Sequence, residues 1–173
     1  GQLPRSLERR RFPSQLLARL NYDTDSPLQG KILTPTNGDG TIKDNSILKM
    51  LENSLRDGAL YKHWDARSAG GDVEAMLEVL KNFWTAVANT FPDAWDLPPR
   101  KSRLFHGVGI MSMGLLMDAI TDRFRDKSCP TVEEFQGDLV EVSKVCRWCS
   151  GYWDFGPGAQ RKWNELQNTN KDI

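Results

Sequence analysis

Residues Asp96–Ile120 read DLPPRKSRLFHGVGIMSMGLLMDAI, and the reading of this stretch decides the fold. Pro98 and Pro99 end whatever precedes them, because proline lacks a backbone donor and restricts the residue before it. Three cations follow, Arg100, Lys101 and Arg103, and then an apolar run rich in Met, Leu and Gly. From Leu104 onward apolar residues cover almost every side of a helical wheel. That is the pattern of a central helix buried by its neighbours, since a surface helix shows one stripe. Gly107, Gly109 and Gly114 each weaken such a helix by roughly 1 kcal/mol relative to Ala. Their presence implies close helix–helix approach or a backbone contact to a ligand.

The basic segment has two open readings. One is a solvated loop, the ordinary fate of a charge cluster. The other is a phosphate or nucleic-acid contact at the helix start, where free N–H groups and the dipole attract anions and His106 assists. A membrane span does not fit, because His106 and Asp118 interrupt the apolar run short of the ~20 residues required. HGVGIMSMG is not a dinucleotide fingerprint either, since that motif needs a preceding strand and different glycine spacing.

Outward from this helix, 173 residues predict one domain with a proper core. Net charge is zero, so nucleic-acid binding would have to rest on local patches. Three cysteines and no visible targeting segment point to a reducing cytoplasm. The start on Gly and the charged end read as a fragment of a longer chain.

Upstream, residues 1–11 form a basic arm in which RSLERRR carries four arginines against one glutamate. A short helix is predicted from Pro13 to Asn21, with Leu16, Leu17 and Leu20 at helical spacing. Asp23 and Asp25 begin like a calcium loop, but the glycine and closing glutamate are absent, and they read as turn residues. Residues 31–43, KILTPTNGDGTIK, predict a β-hairpin in which Asn37-Gly38-Asp39-Gly40 supplies positive-φ positions. Asp44 is the expected cap of the next helix and Gly58 its stop. Ala59–Ala69 is a connection holding His63 and Trp64. After Gly71, Val73, Met76, Leu77, Leu80, Phe83, Trp84, Val87 and Phe91 keep helical spacing, with Asp72 as the cap.

Downstream, Thr131 and Glu134 have capping-box spacing. The helix they open places Val132, Phe135, Leu139, Val142, Cys146 and Cys149 on one stripe. Cys146-Arg-Trp-Cys149 therefore reads first as core packing; a redox pair, and a metal site completed by Cys129, are the alternatives. Residues 152–173 are a tail with a Gly-Pro-Gly turn and a short helix over Ala159–Gln167, with Trp153, Phe155 and Trp163 packing back.

The fold class expected is mainly α: about six helices around a buried central helix, with a small β-hairpin. No nucleophile–base pair, phosphate loop or metal cluster appears, so catalysis by this chain has no support and no cofactor or metal is expected. The sole candidate phosphate cradle for an ATPase-like activity is Lys101–Gly109, which has no Walker pattern.

Several stretches together resemble the C-terminal part of the DGQHR-domain family, which includes the DndB-like proteins encoded beside DNA-modification systems. They are GQLPRSL, LARLNYDTDSPLQGKI with TIKDNSILKMLENSL, NFWTAVANTFPDAW, and LPPRKSRLFHGVGIMSMGLLMDAI. The Asp-Gly-Gln-His-Arg motif itself is absent, so none of its residues can be carried over. The resemblance implies the helical C-terminal portion of a larger α/β protein, working beside DNA modification or its regulation. DNA or a nucleotide is the implied ligand.

The expectation is thus a non-catalytic helical portion that binds DNA through Arg9, Arg10 and Arg11 and through Arg100, Lys101, Arg103 and His106. The alternative is a docking module for its own N-terminal domain or for a DNA-modification enzyme. It is motivated by zero net charge and six tryptophans.

Overall fold

In a computed structural model, residues 5–65, 70–155, 157 and 159–167 are described; of residues 5–10, 65, 70 and 152 only the backbone is. The element order is α1 (Arg5–Tyr22), β1 (Ile32–Leu33), β2 (Ile42–Lys43), α2 (Asp44–Asp57), a 3-10 turn (Tyr61–His63), β3 (Trp64–Asp65), β4 (Gly70–Gly71), α3 (Val73–Thr90), α4 (Gly107–Arg123), α5 (Val132–Ser143), β5 (Tyr152–Asp154) and β6 (Gln160–Lys162). The architecture is mainly helical, with five helices among the described residues where about six were expected.

The apolar periodicities act as read. α3 buries Met76, Leu77, Leu80, Phe83, Trp84 and Val87, and the Asp72 side chain accepts from the Ala75 N–H at its start. Phe83 meets Phe135 of α5 in a T-shaped contact at 5.2 Å. Thr131 and Glu134 form the capping box of α5. α4 is buried along most of its length, with Leu115 on its open side.

α2 and α4 run side by side and parallel. Met50 of α2 lies against Gly114, where a Cβ would overlap its side chain, and one turn on Ser54 donates to Asp118 at 2.6 Å. Partners advance together along both helices, so the two N-termini share one end. Asp118 closes the other end: its carboxylate also accepts from the Ala59 N–H at 2.9 Å, and a Cβ on Gly58 would overlap it. Gly58 is the stop of α2, but for lack of room and not for a left-handed φ.

Several local expectations are corrected. Asp44 is the first residue inside α2; Lys43 holds the cap position, and no side chain caps it. α1 does not begin at Pro13 but runs through it. Proline removes one bond of the ladder, and beside it Phe12 meets Trp64 in a T-shaped contact at 5.2 Å. The segment 31–43 is no hairpin, because β1 and β2 pair in parallel. The tight turn is Thr34–Asn37, and Gly38 and Gly40 keep ordinary φ values. The Asn21 amide grips the Ile32 backbone from both sides, at 3.0 and 3.1 Å, and Ile32 and Ile42 are both fully buried. Gly40 passes so close to the Ile32–Leu33 backbone that a Cβ would overlap it. Burial of the two isoleucines thus outweighs local turn preference.

α5 ends at Ser143, so Cys146 and Cys149 are not on its stripe. They flank the buried Trp148 in an irregular turn, half-buried against the core. The tail carries the antiparallel pair β5–β6 and no helix over 159–167. Trp153 packs on Trp148 at 5.1 Å, but Phe155 is exposed. Gly156 and Gly158 of the expected turn lie outside the described residues, as do residues 168–173.

Candidate nucleic-acid interface

The loop after α3 carries the predicted basic segment to the shared N-terminal end of α2 and α4. Its path is fixed by aromatic packing: Trp95 on Phe105 at 5.0 Å, and Phe91 on Trp148 at 5.7 Å. Arg100 and Lys101 are exposed there, and no carboxylate pairs with them among the described residues.

Arg103 sits differently. Its backbone N–H donates to the Trp148 carbonyl at 2.9 Å. Its guanidinium donates to the Pro99 carbonyl at 3.0 Å and to the Asn164 carbonyl, and Nε is buried with no partner. Burial lowers its pKa. Arg103 is a clasp between the loop, the Cys146–Cys149 turn and the tail.

His106 is the N-cap of α4, with Nδ1 accepting from the Val108 N–H at 3.1 Å. Burial, with Arg103 and Lys43 nearby, pushes its pKa down. The acceptor role needs the neutral ring, and the same forces favour it. Behind the cap, Gly109 lies against the Arg103 and Leu104 carbonyls so tightly that a Cβ would overlap them. The loop before α4 therefore packs directly on its first turn.

The parallel pairing of α2 and α4 places Lys43, at the start of α2, at this end, a residue the sequence did not single out. Lys43 is exposed at the uncapped start of α2. The signal that could have found it is the sequence spacing between α2 and α4, which only the parallel pairing makes meaningful.

Of the second predicted cluster only Arg11 is described to its side chain, and it lies apart from the first. Arg11 is exposed on α1; the side chains of Arg9 and Arg10 lie outside the described residues. Arg11 precedes Phe12, which stacks on Trp64, beside the start of α3. Arg100, Lys101 and Arg103 lie beyond the other end of α3, where Trp148 stacks on Phe91. An 18-residue helix separates the two clusters by roughly 27 Å.

The remaining candidates resolve into packing and ion pairs. Asp23 accepts from Arg19 and from Lys81, and these bonds hold its carboxyl down at about 2; Asp25 also accepts from Lys81. Burial pushes the Cys129 and Cys146 thiols up to about 11, which leaves them protonated and poor nucleophiles. Among the described residues no group of three or more His, Cys, Asp or Glu side chains could hold a metal ion. Among the described residues no helix is long and apolar enough to cross a membrane. Exposed large apolar side chains, among them Tyr22, Leu33, Leu115 and Val140, are distributed over several elements.

Compared with known proteins, the chain matches no family model, no curated protein and no solved structure.

Proposed function

We propose that this chain is a non-catalytic helical portion of a DGQHR/DndB-like protein, working beside DNA modification or its regulation, and that it contacts DNA phosphates at the basic end of the α2–α4 pair. The observation that carries the reading is that end itself. Two helix N-termini lie together, with Lys43 at one and the exposed Arg100 and Lys101 on the loop leading to the other. Helix starts carry partial positive charge, and the cations add to it. With zero net charge overall, such a local field orients a polyanion without attracting it to the rest of the surface. Contacts of this kind position a protein on DNA; they do not read sequence.

The test is fluorescence anisotropy of a labelled duplex titrated with the chain across a range of salt concentrations. Binding should weaken steeply with salt. Replacing Lys43, Arg100 and Lys101 by Ala should flatten the salt slope by roughly 0.9 for each phosphate no longer neutralised, with the fold intact. Unchanged affinity in that triple variant removes this end from the interface. No duplex binding by the unaltered chain at low salt rejects the DNA reading and leaves the docking module, with a protein of the same modification system as partner.

A further inference from the structure

The far end of α2 carries a different surface. Just past Gly58, the 3-10 turn and β3 present Tyr61, 55% exposed, and Trp64, 37% exposed. Lys62 lies between them in the chain, and Arg11 lies next to Phe12, against which Trp64 packs. Neither cation has a carboxylate partner among the described residues. Lys62 donates to the Lys127 carbonyl at 2.6 Å, which positions its charge without cancelling it. Lys127 itself is paired with Glu134 and adds nothing.

The corner is also held still. Tyr61 and His63 donate backbone N–H groups to the Gly58 and Leu60 carbonyls at 3.1 Å. His63 Nε2 donates to the Ser128 carbonyl at 3.0 Å. Trp64 pairs with Gly71 in the β3–β4 ladder. Two aromatic rings carried on this hydrogen-bonded corner offer π-faces, and flanking cations draw a phosphate chain across them. That combination, π-faces for bases and charge for the backbone, is how unpaired nucleic acid is held without sequence readout.

We propose that Tyr61 and Trp64, flanked by Lys62 and Arg11, form a stacking surface for unpaired bases of single-stranded nucleic acid. The proposal rests on the nucleic-acid reading above and adds to it a second ligand form and a second place. The surface follows the C-terminal end of α2, and Lys43 marks the N-terminal end. The 14 residues between make the two sites roughly 21 Å apart. A duplex, with its bases stacked inside, offers this corner only phosphates.

The experiment titrates the chain against a labelled oligothymidine of about 15 nucleotides and, separately, against the labelled duplex. Tyr61→Ala should weaken oligothymidine binding roughly tenfold or more and change duplex binding far less. Trp64→Ala should do the same; should it fail to fold because Phe12 loses its partner, Tyr61→Ala carries the test, since its ring is largely outside the core. Lys62→Gln should flatten the single-strand salt slope by roughly 0.7. Duplex binding without oligothymidine binding overturns the stacking surface and leaves the duplex reading standing. Oligothymidine binding that Tyr61→Ala leaves unaltered also overturns it. Binding of neither probe rejects both readings.

Discussion

The two ends of the α2–α4 pair solve opposite problems. At the C-terminal end a carboxylate, Asp118, has been taken inside and given Ser54 and the Ala59 N–H as donors, with Gly58 leaving space for it. At the N-terminal end the charges are cationic, and they divide. Arg103 is clasped by carbonyls and His106 caps α4, whereas Lys43, Arg100 and Lys101 stay in solvent. Charge alone therefore does not mark a binding residue. What separates Arg103 from Arg100, three positions apart, is whether the guanidinium has already found acceptors inside the molecule.

The sharpest way to break the comparison is Gly109→Ala, which sets a methyl group against the backbone carbonyls of Arg103 and Leu104. Backbone cannot step aside as a flexible side chain can. We expect a loss above about 3 kcal/mol, at the upper limit of overpacking, read as a large drop in the urea midpoint. Gly58→Ala should cost less, about 1–3 kcal/mol, because its clash is with the Asp118 carboxylate.

Asp118 also sets a pH dependence. Burial raises its pKa, against the lowering pull of Ser54 and the Ala59 N–H, and Asp57 raises it further. Ionising it thus costs the folded state, so its contribution is complete below the unfolded carboxylate pKa and is lost as pH rises through the folded one. Stability of Asp118→Asn should be flat across that window where the parent chain declines. A variant that declines equally would assign the slope to another group.

Next in size is Arg103→Ala. It removes charge-assisted bonds to the Pro99 and Asn164 carbonyls, and the expected loss is about 1.5–3 kcal/mol, seen as a lowered melting temperature. His106→Ala should cost about 1 kcal/mol and His106→Asn much less, since Asn keeps a capping acceptor. The sign for His106 is the reverse of that for Asp118. Its folded pKa is depressed, so its contribution is complete above the unfolded value and is lost as pH falls through the folded one, when Nδ1 takes a proton and can no longer accept from Val108. His106→Asn should lack that acid-side loss. Smallest of all, Lys43→Ala, Arg100→Ala and Lys101→Ala should each move stability by less than about 0.5 kcal/mol. A larger loss at any of the three would place that residue with Arg103.

Much of the helical frame was legible because its signals are local. The apolar spacing from Val73 to Phe91, the Asp72 cap and the Thr131–Glu134 box need only neighbours three or four residues away. The buried character of Leu104–Ile120 was readable from its wheel for the same reason. Where the reading failed, distant residues had outvoted local preference. Asn37-Gly38-Asp39-Gly40 is a strong turn signal, yet Asn21 and the burial of Ile32 and Ile42 set β1 and β2 in parallel. Cys146 and Cys149 continue a helical stripe on paper, but α5 stops at Ser143 and Trp148 drives into the core between them.

The sequence by itself determined the apolar face of α3, the Asp72 and Thr131 caps and the presence of cation clusters, since composition and i, i+4 spacing are written in the chain. Only the tertiary structure decided which cations are free. It brought Lys43 to His106 through the parallel pairing of α2 and α4, clasped Arg103 to carbonyls from distant loops, and set Arg11 and Arg100 at opposite ends of α3. The physical reason is that a charge binds outward only while it stays in solvent, and which charges are drawn inside is chosen by packing over long sequence distances.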